Sequence, residues 1–161
     1  MRRRLAALAA LPLMFGLTQS AQAAPAKDPI GDLIVSALTG ALPGTPEFNM
    51  KATLYHAGAK GVGALDSLGC KVVAMRTVAV DTAVVPRRTK LFIKETVGLP
   101  MPDGGTHDGY WYATDTGGAI KGQKIDLFTG HGSSSMKPLL ALNLAKLTVA
   151  KAGEFKGCPP T

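Results

Sequence analysis

The stretch Ala113 to Phe128, ATDTGGAIKGQKIDLF, decides how the rest of the chain is read. Its two carboxylates, Asp115 and Asp126, each sit in a strand-like apolar run: Trp111-Tyr112-Ala113-Thr114 precedes the first, and Ile125 and Leu127-Phe128 flank the second. Between them lie Gly117, Gly118 and Gly122. Glycine costs an element interior about 0.5–1 kcal/mol, so this clustering predicts a tight turn or a close backbone approach. A carboxylate within an apolar strand has to be paired, hydrogen-bonded or functional, because burying a lone charge is expensive. The stretch is therefore expected to form the floor of a site.

Outward from it, the sequence predicts an all-β domain. Nineteen Gly and 11 Pro imply frequent turns, and a 46% hydrophobic fraction is enough for a packed core. Lys51-Ala52-Thr53-Leu54-Tyr55 reads as a first strand, followed by a glycine-rich loop through Gly69. Lys71 to Asp81, rich in valine, reads as a second strand region and Thr89 to Val97 as a third. Tyr110 to Asp115 and Lys124 to Phe128 are the fourth and fifth, Met136 to Leu142 one or two helical turns, and Ala145 to Lys151 the last strand. Short strands with glycine turns imply a small barrel or sandwich, and no internal repeat is visible.

The N-terminal 23 residues are set apart. Arg2-Arg3-Arg4, a short apolar run from Leu5 to Leu17 and Ala21-Gln22-Ala23 form the pattern of a secretory signal peptide cleaved after Ala23. The apolar run is short of the roughly 20 residues that span a bilayer, so no stable membrane anchor is expected after cleavage. Residues 24–48 are read as a linker with an amphipathic helix at Ile30 to Leu38, ended by Gly40, Pro43, Gly44 and Pro46, and residues 49–161 as the folded domain. Export implies a periplasmic or secreted protein. There an even cysteine count favours a disulfide between Cys70 and Cys158.

Charge narrows the partners. Removing the three arginines of the leader takes the net charge from +7 to +4, which suits an anionic polymer such as a cell wall. No basic run interleaved with aromatics is present, so nucleic acid is not expected. Two cysteines and three scattered histidines offer no metal-ligand spacing, so neither metal nor cofactor is expected. Ser133-Ser134-Ser135 has no nucleophile elbow, which disfavours serine hydrolase chemistry. His107 and His131 fall in loops and are read as solvated.

Three landmarks occur in order: Arg76-Thr77-Val78-Ala79-Val80-Asp81 with Val85-Pro86 and Thr89-Lys90; Asp115-Thr116-Gly117-Gly118-Ala119-Ile120-Lys121-Gly122; and Ile125-Asp126-Leu127-Phe128. Together they resemble the three-aspartate (3D) domain, also found at the C-terminus of membrane-bound lytic transglycosylase A, over about residues 50–150. The resemblance implies a six-stranded double-psi β-barrel with short flanking helices and a groove across one face. It implies peptidoglycan glycan strands as partner, and a lytic transglycosylase that cleaves the MurNAc–GlcNAc β-1,4 bond and leaves a 1,6-anhydro product. The family's catalytic aspartate falls on Asp126, Asp115 flanks the same groove, and Asp81 is the first of the three.

Beside these implied roles, each residue has a plainer one. Asp126 could bond backbone amides, Asp115 could line the groove or bond backbone, and Asp81 before Thr82-Ala83-Val84-Val85-Pro86 is a natural turn former. Lys121 is a candidate for a sugar or peptide carboxylate, Trp111 and Tyr110 for stacking on sugar rings, and Tyr55 for lining the groove. The lytic transglycosylase has a second domain that walls its groove; no such domain is expected in these 161 residues, so the groove is expected to be open and shallow. Two rivals follow: an expansin-like wall-binding module without turnover, and a hydrolase using Asp126 as acid with Asp115 or Asp81 as base; for cleavage, a cell-wall enzyme partner is a candidate to complete the groove. A hydrolase needs two carboxyls roughly 5–5.5 or 6.5–9.5 Å apart.

Overall fold

The computed structural model describes residues 47–161. The expected signal peptide and the expected helix at Ile30 to Leu38 lie outside the described residues, as does the expected linker up to residue 46; its last two positions, 47 and 48, belong to the first strand. Six strands follow: β1 (Glu47–Ala57), β2 (Thr77–Val80), β3 (Thr89–Ile93), β4 (Tyr110–Asp115), β5 (Lys124–His131) and β6 (Lys146–Glu154). They close into a barrel in the order β1-β5-β2-β4-β3-β6. Closure leaves no unpaired edge, which is how a small all-β domain avoids templating other chains.

Two of the pairings are parallel, β1 with β5 and β2 with β4, and the other four are antiparallel. Exchanging β1, β2 and β3 for β4, β5 and β6 reproduces both the neighbour order and every pairing direction. The barrel therefore has an internal twofold that the sequence does not display as a repeat. Its axis passes through the antiparallel β2–β5 contact, the one pairing that the exchange maps onto itself alongside β3–β6.

Strand alternation fills the interior. Val78 and Val80 of β2, Leu91 and Ile93 of β3, Trp111 and Ala113 of β4, and Ile125 and Leu127 of β5 are all buried in one core with Met50, Leu147 and Val149. These are β-branched or large apolar side chains, the types that pack best on a pleated surface. A ten-residue 3-10 helix, Ser133–Leu142, lies against β1 and β5 and seals one side through the buried Leu139.

The second strand is shorter than the sequence suggests. Lys71–Arg76 is not strand but the end of a long loop from β1, because Met75 adopts a left-handed backbone (φ 56°) that ends pairing. Met75 is held there by its amide, which donates to Phe128 O at 2.8 Å. The same loop carries Cys70, bridged to Cys158 of the C-terminal tail. The bridge ties the loop between β1 and β2 to the end of the chain.

Candidate active site

Asp126 lies between the buried Ile125 and Leu127, so its side chain projects to the outside of the barrel. The register places Thr53 of β1 beside it on one side and Ala79 of β2 on the other. Ala79 in turn pairs with Asp115 at the end of β4, just after a shift in register. Thr53, Asp126, Ala79 and Asp115 thus form one row across four strands. Adjacent strands are about 4.8 Å apart, so the two aspartates flank Ala79 with backbones about 10 Å apart. The methyl of Ala79, itself buried, leaves the space between the carboxyls open.

The two carboxyls have contrasting surroundings. Asp115 is fully engaged: Oδ2 accepts from the Tyr55 hydroxyl at 2.9 Å, and Oδ1 accepts from the amides of Ser67 at 3.1 Å and Thr116 at 2.8 Å. Asp126 Oδ1 is buried and has no hydrogen-bond partner among the described residues. Burial pushes the Asp126 carboxyl above its ordinary range, and the charge of Asp115 adds to this. Lys124 and the Thr53 hydroxyl act the other way, but that hydroxyl is shared, since it also reaches Ile125 O at 3.3 Å. One carboxyl is held by three donors, while the other has a buried oxygen without a partner.

Tyr55 links the row. Its ring packs at 5.2 Å on Phe128, two residues from Asp126, and its hydroxyl reaches Asp115. Burial and the charge of Asp115 push the phenol well above its ordinary pKa, so it stays a donor. Ser67 was not among the expected residues. It sits three positions from the bridged Cys70, and its Oγ also donates to Thr114 O at 2.9 Å. Asp66 shapes this turn: its Oδ1 accepts from the amides of Leu68 and Cys70.

Asp81 follows β2 on the same face as Ala79. Its Oδ1 accepts from Ala83 N at 3.0 Å and its Oδ2 from Gly122 N at 2.7 Å. These bonds, Gly122 first, hold its pKa below the ordinary value. Gly122 has φ 62°, a conformation that glycine adopts without strain, and this aims its amide at Asp81. Asp81 is thus a clamp between the turn after β2 and the glycine-rich loop. Lys121 is exposed in that loop, and both residues line a shallow cavity of about 320 Å³.

Two expectations are corrected. Trp111 cannot stack on a sugar here: it is fully buried, and its Nε1 donates to Thr96 Oγ1 at 3.1 Å. Alternation in β4 points Trp111 and Ala113 inward, leaving Tyr110 and Tyr112 partly exposed. His107 is not solvated but 1% exposed, with Nε2 2.6 Å from Met75 O and Nδ1 2.8 Å from Gly109 N. The Gly109 amide can only donate, so Nδ1 accepts and Nε2 carries the proton. Burial lowers the His107 pKa and keeps the ring neutral. Among the described residues no group of His, Cys, Asp or Glu could hold a metal, and no helix is long and apolar enough to cross a membrane.

Residues 76–137, which hold Asp81, Asp115 and Asp126, match the family model described as 3D domain. This part of the chain is similar to the 3D domain. Beyond it, the chain is 34% identical over 87 residues to Cell wall-binding protein YocH of Bacillus subtilis (strain 168), covering 51% of this chain and 25% of that protein. The chain thus spans about a quarter of the length of this curated relative. Among solved structures, MltA from Escherichia coli, described as a unique lytic transglycosylase fold, is similar at 25% identity over 56% of this chain and 27% of that one, with TM-score 0.40. E. coli MltA with bound chitohexaose matches at 24% identity over 58% and 30%, with TM-score 0.40. The lytic transglycosylase LtgG of Burkholderia pseudomallei matches at 26% identity over 56% and 26%, with TM-score 0.39. The matched span includes both aspartates of the row and the Asp81 clamp described above.

Proposed function

We propose that this is an exported, peptidoglycan-active protein, and that its barrel is of the double-psi type, a lytic transglycosylase with Asp126 as both acid and base. One observation carries the reading: Asp126 has a buried carboxyl oxygen without a partner, across Ala79 from a carboxylate held by three donors. Burial, with a smaller contribution from that neighbour's charge, raises the Asp126 pKa and so favours the protonated form that the acid step needs. The protonated carboxyl gives its proton to the glycosidic oxygen as the C1–O bond breaks. The C6 hydroxyl of the same sugar then bonds to C1, and the new carboxylate takes the hydroxyl proton. The 1,6-anhydro ring forms and the acid is regenerated without water.

Asp115 serves this chemistry as a fixed charge. Both its oxygens are engaged, so it stays in place while the proton moves at Asp126. Tyr55 and the Thr116 amide hold it from the barrel side, and Ser67 from the loop. Two parallel strand pairs exchanged by a twofold support the double-psi reading. The disulfide is consistent with a periplasmic or secreted location.

The named relative supports a second reading. YocH is called a cell wall-binding protein, so a wall-binding module without turnover accounts for the same surface. Mass spectrometry of sacculi incubated with the purified chain separates the readings. Anhydro ends support the transglycosylase, reducing ends point to hydrolysis, and protein that pellets with intact sacculi is a binder.

A further inference from the structure

We propose that the cavity beside the aspartate row is a carboxylate subsite, built from Arg87 and Lys121, that selects glycans bearing an acidic substituent. The inference rests on the glycan-active reading above and adds what the surface discriminates. Asp81 is two residues beyond Ala79 and on its face, so the cavity begins about 6.6 Å along the strand from the row. Thr116, next to Asp115, lines it as well. A polymer lying across Asp126 and Asp115 therefore passes beside it, so that a substituent on the polymer reaches the cavity.

Its chemistry differs from that of the row. Arg87 and Lys121 bring two exposed cations to its wall, with the hydroxyls of Thr82 and Thr116 beside them and Ile120 in the floor. The only carboxylate in the lining, Asp81, is turned onto the amides of Ala83 and Gly122. Among the described residues neither cation makes an ion pair; Asp108 pairs with Arg76 instead. Two unpaired cations with hydroxyl donors around an open cavity fit an anion with planar oxygens better than a neutral hydroxyl or acetamide. On a glycan strand that anion is a carboxylate, carried either on a lactyl ether of the sugar or at the acidic groups of an attached peptide.

The test compares the affinity of the full chain for three tetrasaccharides: neutral chitotetraose, the alternating N-acetylglucosamine–N-acetylmuramic acid strand with free lactyl carboxylates, and the same strand carrying peptides. The acidic strands should bind about three- to tenfold tighter than chitotetraose at low salt, and the preference should shrink as salt screens the pair. If the lactyl carboxylate is the anion, both acidic strands show the preference; if the peptide supplies it, only the third does. The joint change Arg87→Gln with Lys121→Gln should bring the acidic-to-neutral ratio to about one, whereas Arg87→Lys with Lys121→Arg should retain most of it. Equal binding of neutral and acidic strands by the wild type, or a preference that survives the glutamine changes, overturns the subsite and leaves the glycan reading standing. Failure to bind any of the three overturns both.

Discussion

Changing Asp126 to Asn should remove the chemistry and strengthen the fold. The substitution keeps the side chain's shape and deletes its titratable proton. General acid–base catalysis contributes about 10²–10⁴-fold, and here one group serves both proton transfers, so anhydro-product formation should fall by at least that range. The stability effect follows from the unpartnered Oδ1. Its folded pKa is raised, so the fold is favoured by the protonated form, fully below the unfolded value of 3.8 and decreasingly as pH rises through the folded value. At pH 7 ionisation leaves a charged, unsatisfied, partly buried oxygen. Such groups cost about 1–3 kcal/mol, and the residue's partial exposure puts it at the low end, about 1 kcal/mol. A neutral amide relieves this, raising Tm by roughly 4 °C for a domain of this size. Calorimetry at pH 7 and at pH 3.5, with mass spectrometry of digested sacculi, reads both effects; the Tm gain should vanish at the lower pH. An Asp126→Asn protein that melts below the wild type at pH 7, or that still yields anhydro ends at a similar rate, refutes the reasoning.

Tyr55→Phe removes one donor from Asp115 and should cost about 1.5 kcal/mol in urea unfolding, with a shifted pH profile for glycan cleavage. Joint Cys70→Ser and Cys158→Ser replacement opens a loop of 88 residues in sequence separation and should lower stability by about 2–5 kcal/mol, read by denaturant titration under non-reducing conditions. Trp111→Phe deletes the buried Nε1 donor to Thr96 and should lower Tm while glycan affinity, measured by calorimetric titration, stays unchanged. Asp81→Asn should lower Tm at neutral pH. Because its folded pKa is depressed, that penalty should fade as pH falls through the folded value, as melts across pH 7 to 2 would reveal.

Much of this architecture is legible in the chain. The fourth strand, Tyr110–Asp115, is bounded by glycine-rich loops on both sides and reads directly, as does the pairing of Cys70 with Cys158. Boundaries fail where tertiary contacts decide them. β1 begins at Glu47 because β6 pairs with it there, and β5 runs on through Gly130 and His131. Trp111 reads as a surface aromatic only if alternation within its own strand is ignored. The approach of Asp115 to Asp126 is not readable locally, because β2 lies between their strands although it precedes both in sequence. Ser67 gives no sequence signal, since its amide, not its side chain, makes the bond to Asp115.

The internal twofold has a consequence for how a polysaccharide meets this barrel. Directly across the β2–β5 contact, the partner of Asp126 is Ala79. A barrel of two interlocked halves offers two equivalent seats for a carboxyl, and here one holds an acid and the other a methyl. The flanking seats differ as well, with Thr53 beside Asp126 and Asp115 beside Ala79. A glycan has a reducing and a non-reducing terminus, and a row whose two halves carry different side chains distinguishes them. If Asp126 is the acid proposed above, the unlike halves of a symmetric scaffold set the direction in which the strand must lie for its bond to reach the proton.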